Sequence, residues 1–270
     1  IQEALELDQL DQILEPMARR LVTDLELDLA KFMRINTGLN YGARGTAVDA
    51  WSDVAGAGAM MDSVGVPMSD NKYYLMNPFT TTSLASAQNG LNASDGLVRT
   101  AWEKAQISSN FGGMRALTSN ALSSYTSGST TDRLGSLTSA PDATYVTAKD
   151  TMQQTLAIET LGTGTIAAGD QIQIAGVNRL NIATRQVMLD AAGAAVPWTG
   201  TVLSTVTIAG NAASVVVSGA AIYEANGQYN TVDAAPAISA VVTILGTAAT
   251  VYQPNLFYTE QAFGLGTVKL

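Results

Sequence analysis

The chain has 270 residues, 47% of them apolar and 14% charged, with a formal net charge of −9. This is a globular composition long enough for a sizeable core, and with no cysteine or histidine it excludes disulfides, His/Cys zinc sites and His-based nucleophile pairs. The acidic balance disfavours nonspecific nucleic-acid binding as the main task, no apolar run reaches the length of a membrane span, and carboxylate chemistry with Mg²⁺ or Ca²⁺ stays open.

Glu3, Glu6, Asp8 and Asp11 interrupt the first apolar residues, so the start lacks a signal-peptide pattern. Leu7 to Ile35 reads as a long helical region. Leu10, Leu14, Met17, Leu21, Leu25 and Leu29 recur at spacings of three and four, with charges over much of the rest. At Pro16 the helix either kinks or begins, and the second reading is preferred, because the missing N–H of a first helical residue costs nothing. Gly38 to Thr46 is a glycine-rich loop, and a helix is predicted over Ala47 to Ser63, with Val48, Trp51, Val54 and Met61 as its apolar positions. Lys72 to Met76 reads as a buried strand cut off by Asn77-Pro78. Thr81 to Leu91 and Leu97 to Ala105 read as helices.

Composition shifts after about Ser123. Ser123 to Ser139 is rich in Ser, Thr and Gly and reads as a loop or linker. From Tyr145 to Val251 the chain is β-type, with short runs such as Leu156-Ala157-Ile158, Val202 to Ile208 and Val215-Val216-Val217. Turns such as Gly162-Thr163-Gly164 and Asn226-Gly227 separate them, which predicts a small barrel or sandwich able to fold alone. Within it, Gly169-Asp170 leads into the alternating Gln171-Ile172-Gln173-Ile174, a strand that should bury Ile172 and Ile174 and expose Gln171 and Gln173.

No chemical motif survives inspection. Gly162-Thr163-Gly164 with Gly169 lacks the spacing of a dinucleotide fingerprint, and Gly42-Ala43-Arg44-Gly45-Thr46 lacks the Gly-Lys-Ser/Thr of a P-loop. Glu3, Glu6, Asp8, Asp11 and Glu15 spread around a helix axis, so a solvated face outweighs a metal site. Asn92-Ala93-Ser94 is a chance sequon. Trp51, Trp102 and Trp198 read as core or interface anchors, and Met60, Met61 and Met68 as core filling. Arg179, Arg185 and Lys269 could contact phosphate or a neighbouring subunit, with solvated charges as the default reading. The chain begins at Ile1 and stops at Leu270 inside an apparent strand, which reads as a segment of a longer protein.

An ordered set of segments carries a family resemblance. Gly169 to Val177 (Gly-Asp-Gln-Ile-Gln-Ile-Ala-Gly-Val), Trp51-Ser52-Asp53-Val54, Tyr73 to Pro78, Gly227 to Val232, Ala234-Ala235-Pro236 and Tyr252 to Phe263 together resemble the major coat proteins of P22-type tailed bacteriophages. The resemblance implies an α+β chain with the HK97-like capsid fold: a long spine helix, a mixed α/β central domain and an inserted all-β, barrel-like domain. The corresponding divisions are residues 1–36 for the spine helix region, 37–140 for the central domain, 141–250 for the insertion and 251–270 for the return. It further implies a structural subunit that is not an enzyme and carries no catalytic, cofactor-binding or metal residues. Copies would assemble in the host cytoplasm as hexamers and pentamers of an icosahedral shell, and would reside in the virion. The implied partners are other copies of the chain, a scaffolding protein, a portal and packaged DNA held without sequence-specific binding, with no membrane. The residues taken alone also allow a β-domain binding or surface-recognition module, or an Mg²⁺-dependent carboxylate enzyme, although no D-x-D cluster supports the latter.

Overall fold

The computed structural model describes residues 2–89, 95–264 and 266. The chain opens with one helix, α1 (Gln2–Ile35), laced by i,i+4 ion pairs from Arg19 to Glu15 at 2.6 Å and from Arg20 to Asp24 at 3.1 Å. Pro16 lies inside this helix and does not begin it. A single missing N–H removes one rung, whereas a fresh start at Pro16 would require a second costly nucleation, so the helix runs through.

Helix α2 (Trp51–Val64) starts later than the sequence predicts, because the Asp53 carboxylate accepts the Asp49 and Ala50 N–H groups, both at 3.2 Å, and so fixes the first turn. Strand β1 (Lys72–Met76) occupies the predicted residues. Helix α3 (Pro78–Asn89) begins on the proline itself, with Asn77 Oδ1 capping the Thr80 N–H at 2.7 Å. Then come α4 (Asp95–Lys104), β2 (Asn110–Phe111) and β3 (Met114–Thr118). The remaining elements are β4 (Tyr125–Thr126), β5 (Leu134–Leu137), α5 (Tyr145–Ala148), β6 (Gln153–Glu159), β7 (Gly164–Ile166), β8 (Gln171–Asn178), β9 (Pro197–Val202), β10 (Val206–Ile208), β11 (Ala213–Ser218), β12 (Val241–Ile244), β13 (Val251–Tyr252) and β14 (Leu256–Thr259).

Two bodies of structure result. The first is a four-stranded sheet of order β14-β1-β3-β2, in which β1 runs parallel to β3 and antiparallel to β14. The parallel pair is joined through α3 and α4, as parallel strands require. Val54, Ala57 and Met61 of α2 pack with Leu84 of α3 and with Tyr74, Met76, Phe111 and Met114 of the sheet. The second body is a closed six-stranded barrel of order β11-β6-β5-β12-β8-β9, whose pairings are all antiparallel. Alternation along its strands sends Leu156, Ile158, Ile172, Ile174, Val215, Val217, Val242 and Ile244 inward around Trp198. Closure removes the free edges that an open sheet of these strands would expose.

The segment read as a linker carries two strands, β4 and β5, and β5 is a stave of the barrel. The sequence of β5 carries no strand signature, because its inward residues are Gly135 and Leu137 and Gly135 adds no apolar side chain to the pattern. A Cβ at Gly135 would stand 2.7 Å from Ile158 and 2.8 Å from the Glu159 carbonyl, so the close approach of β6 demands glycine there. The run from Val202 to Ile208 is likewise two strands, β9 and β10, broken at residues 203–205. Gln171 is buried, contrary to the alternation rule, while Gln173 is half-buried. Its register partner Thr201 is buried as well, and the Thr201 and Thr37 hydroxyls lie 3.4 Å apart, so the chain after α1 covers this part of the barrel's outer face.

Candidate functional site

Among the described residues no group of three or more acidic side chains could hold a metal. A shallow cleft of about 640 Å³ opens beside Asn71, Lys72, Asn110 and Arg115. Lys72 is already paired with Asp62. Among the described residues no hydrogen bond there joins a nucleophile to a base.

The glycine motifs resolve as structure. Gly164 opens β7, its Cα face pressed against the Ser129–Thr130 backbone. The 42–46 loop turns Arg44 inward instead of presenting amides to an anion. Glu15 pairs with Arg19 on the helix surface, while the side chains of Glu3, Glu6, Asp8 and Asp11 lie outside the described residues, as do Asn92-Ala93-Ser94 and Lys269. Trp198 is fully buried and donates its indole N–H to the Gly219 carbonyl at 2.8 Å. Trp51 and Trp102 are exposed in the single chain, Trp102 at 76%, so neither is a core residue. Of the three methionines, Met61 is buried, Met60 is half-buried and Met68 is exposed.

What the fold does build is a seam between the barrel and the α-bearing body. Arg179, read from sequence as solvated, is buried there. It donates to the Gly38 carbonyl, to the Thr199 carbonyl at 2.7 Å and to Thr199 Oγ1 at 3.1 Å. Burial without a carboxylate partner pulls its pKa down to about 10. Gly38 and Gly219 touch backbone to backbone, since a Cβ on Gly219 would lie 2.8 Å from the Gly38 Cα. Farther along, Asn181 Nδ2 donates to the Ser63 carbonyl and the Ile182 N–H to the Val64 carbonyl, each at 2.8 Å, tying a barrel loop to the end of α2. Arg185 stays near the surface and donates to the Asn230 carbonyl at 2.8 Å.

The Gly-Asp turn anchors the other end of the seam. Asp170 has no exposed surface. Its carboxylate accepts from Ser127 Oγ at 2.8 Å and from the Gly128 and Ala167 N–H groups at 2.9 Å, with Arg133 Nη2 at 3.8 Å. Arg44 donates to the Gly169 carbonyl at 3.3 Å and lies over both Tyr125 and Tyr252. Arg34, from the last turn of α1, lies 4.7 Å over the Tyr125 ring. Tyr125 and Tyr252 face each other across the antiparallel pair β4–β13, through which the chain passes into the barrel and back out.

One outer face carries an apolar stripe. Every residue of α1 from Leu14 to Asp28 is exposed, with Leu14, Met17, Leu21 and Leu25 forming a stripe and Leu21 at 72%. Phe32 continues that stripe into an edge-to-face contact with Phe263, 6.3 Å between centroids. Elsewhere Phe79 stands singly at the start of α3, 85% exposed. Contiguous apolar surface like the α1 stripe marks protein–protein contact more often than solvent exposure.

Comparison with known proteins supplies the context. The family described as "P22 coat protein - gene protein 5" matches residues 2–270. A protein named "Major capsid protein" from Acyrthosiphon pisum secondary endosymbiont phage 1 is 44% identical over 277 residues. That alignment covers 100% of this chain and 64% of the relative, so the chain spans under two thirds of the relative's length.

Proposed function

The chain belongs to the P22 coat protein family, and from that premise we propose that the whole protein is a structural, non-enzymatic major capsid subunit whose copies tile a closed shell around a phage genome. The observation that carries this reading is the family match along residues 2–270, joined to a capsid relative aligned over all of the chain. The exposed apolar stripe on α1 supports it, since a shell must bury subunit surface repeatedly. No helix among the described residues is long and apolar enough to cross a membrane.

The finer architecture belongs to the same proposal. In it α1 is the spine helix, the β14-β1-β3-β2 sheet with α2 is the central domain, and the barrel is an insertion. Support comes from the sheet itself, whose strands β1 to β3 precede the barrel in sequence while β14 follows it. The adjacent crossing strands β4 and β13 then bound the insertion at about residues 127–250, so β5 belongs to it. A scaffolding protein, a portal and DNA contacted without sequence preference complete the proposed partners, in the virion and during assembly in the host cytoplasm.

The test is assembly. Full-length protein, expressed with its scaffolding partner, should sediment as particles and appear as closed shells in negative stain. A monomer across salt and protein concentration would sink the proposal.

A further inference from the structure

The seam holds a charge imbalance that the capsid reading does not use. Arg34, Arg44 and Arg133 converge on Tyr125, Tyr252 and Asp170. The one carboxylate of the cluster, Asp170, acts on Arg133 and Arg44, and both its oxygens are already engaged by Ser127 Oγ and by the Gly128 and Ala167 N–H groups. Arg133–Asp170 is the one ion pair that any of the three makes among the described residues. Four buried guanidinium nitrogens, Arg34 Nε and Nη1, Arg44 Nε and Arg133 Nε, find no acceptor there, nor does the buried Tyr125 hydroxyl.

Burying a net positive charge costs far more than burying a neutral donor. Water could satisfy the N–H groups but would leave the charge. An anion does both, and the planar guanidinium fork matches an oxyanion's geometry. The nitrogens lie beneath the surface, so the ligand must be small, and a polymer's phosphates could not reach them. Arg34 and Arg44 are themselves only half-buried residues, which leaves a path from solvent. Burial brings the Arg44 pKa down to about 10, since Asp170 and Tyr252 offset it only in part and Arg133 and Arg34 add to it. We propose that this seam binds a small oxyanion, of the size and charge of inorganic phosphate, between Arg34 and Arg44, and that the bound anion fastens α1 and the 38–50 loop to the barrel.

The experiment is thermal unfolding of the purified chain in sodium phosphate against sodium chloride at matched pH and ionic strength. Phosphate at about ten times its dissociation constant should raise Tm by about 2 °C and then saturate. Arg34→Gln and Arg44→Gln should each lose most of that rise, and Arg34→Lys should keep part of it. Should the glutamine variants fail to fold, ³¹P line broadening of phosphate by the wild-type chain, reversed by sulfate, answers the same question. An equal, unsaturating rise in wild type and variants is a general salt effect and overturns the proposal. So does absence of line broadening, or a response to a single-stranded DNA oligonucleotide but not to phosphate.

Discussion

Ile174 and Gln173 are neighbours in β8 with opposite fates. Ile174 is wholly inside the barrel, paired in register with Val242, whereas Gln173 is half-buried beside Thr243 and Thr199. Ile174→Ala should destabilise by about 2–5 kcal/mol and Gln173→Ala by about 0.5 kcal/mol or less in chemical denaturation. The reverse order would mean the barrel register is wrong. Asp142 offers a pH test. Hydrogen bonds from the Thr144 N–H, the Thr144 hydroxyl and the Thr147 hydroxyl hold its pKa below the ordinary carboxylate value. A depressed folded-state pKa contributes stability above the unfolded value, and that contribution fades as pH falls through the lowered value. The Thr144 amide resonance should therefore shift on acidification below about pH 4, and Asp142→Asn should abolish the titration. At this scale sequence legibility was uneven. Ile172 and Ile174 declare their burial through alternation with Gln171 and Gln173, a strictly local pattern. Arg179 does not, because its burial depends on the Gly38 carbonyl, 141 residues away.

Elements that carry their own signal were readable, and those defined by neighbours were not. The apolar run of β1 and the period of α1 both live within one window of sequence. β5 does not, since Leu134-Gly135-Ser136-Leu137 becomes a strand only between β6 and β12. Continuity of α1 through Pro16 is another such case, decided by the cooperativity of a long helix and not by the proline's local preference. The barrel gives the sharper experiment. A fragment of residues 127–250 keeps all six staves and should show β-type circular dichroism with a cooperative melt. A fragment of residues 145–251 lacks β5, leaves β6 and β12 with open edges, and should aggregate or melt without cooperativity. Equal behaviour of the two fragments would show that β5 is dispensable to closure.

For the molecule as a whole, the α1 stripe separates folding from association. Leu21 and Leu25 touch little within the chain, so Leu21→Gln with Leu25→Gln should change its stability by about 0.5 kcal/mol or less. The same pair in full-length protein should suppress shell formation, read by particle sizing. Shells at wild-type yield would mean that this stripe is not a contact surface. The family was legible at this scale because its segments recur in order along the chain, whereas the seam was not, being assembled from residues 34, 44, 133, 170 and 179 on separate elements. The β4–β13 rung has a consequence for protein engineering. Thr126 and Val251 are register partners, so the two ends of the intervening 127–250 segment stand about 5 Å apart. A tight turn could therefore splice them without moving β3 or β14. So could any foreign domain whose own termini lie side by side, which makes this rung a socket where a guest protein could be displayed in place of the barrel.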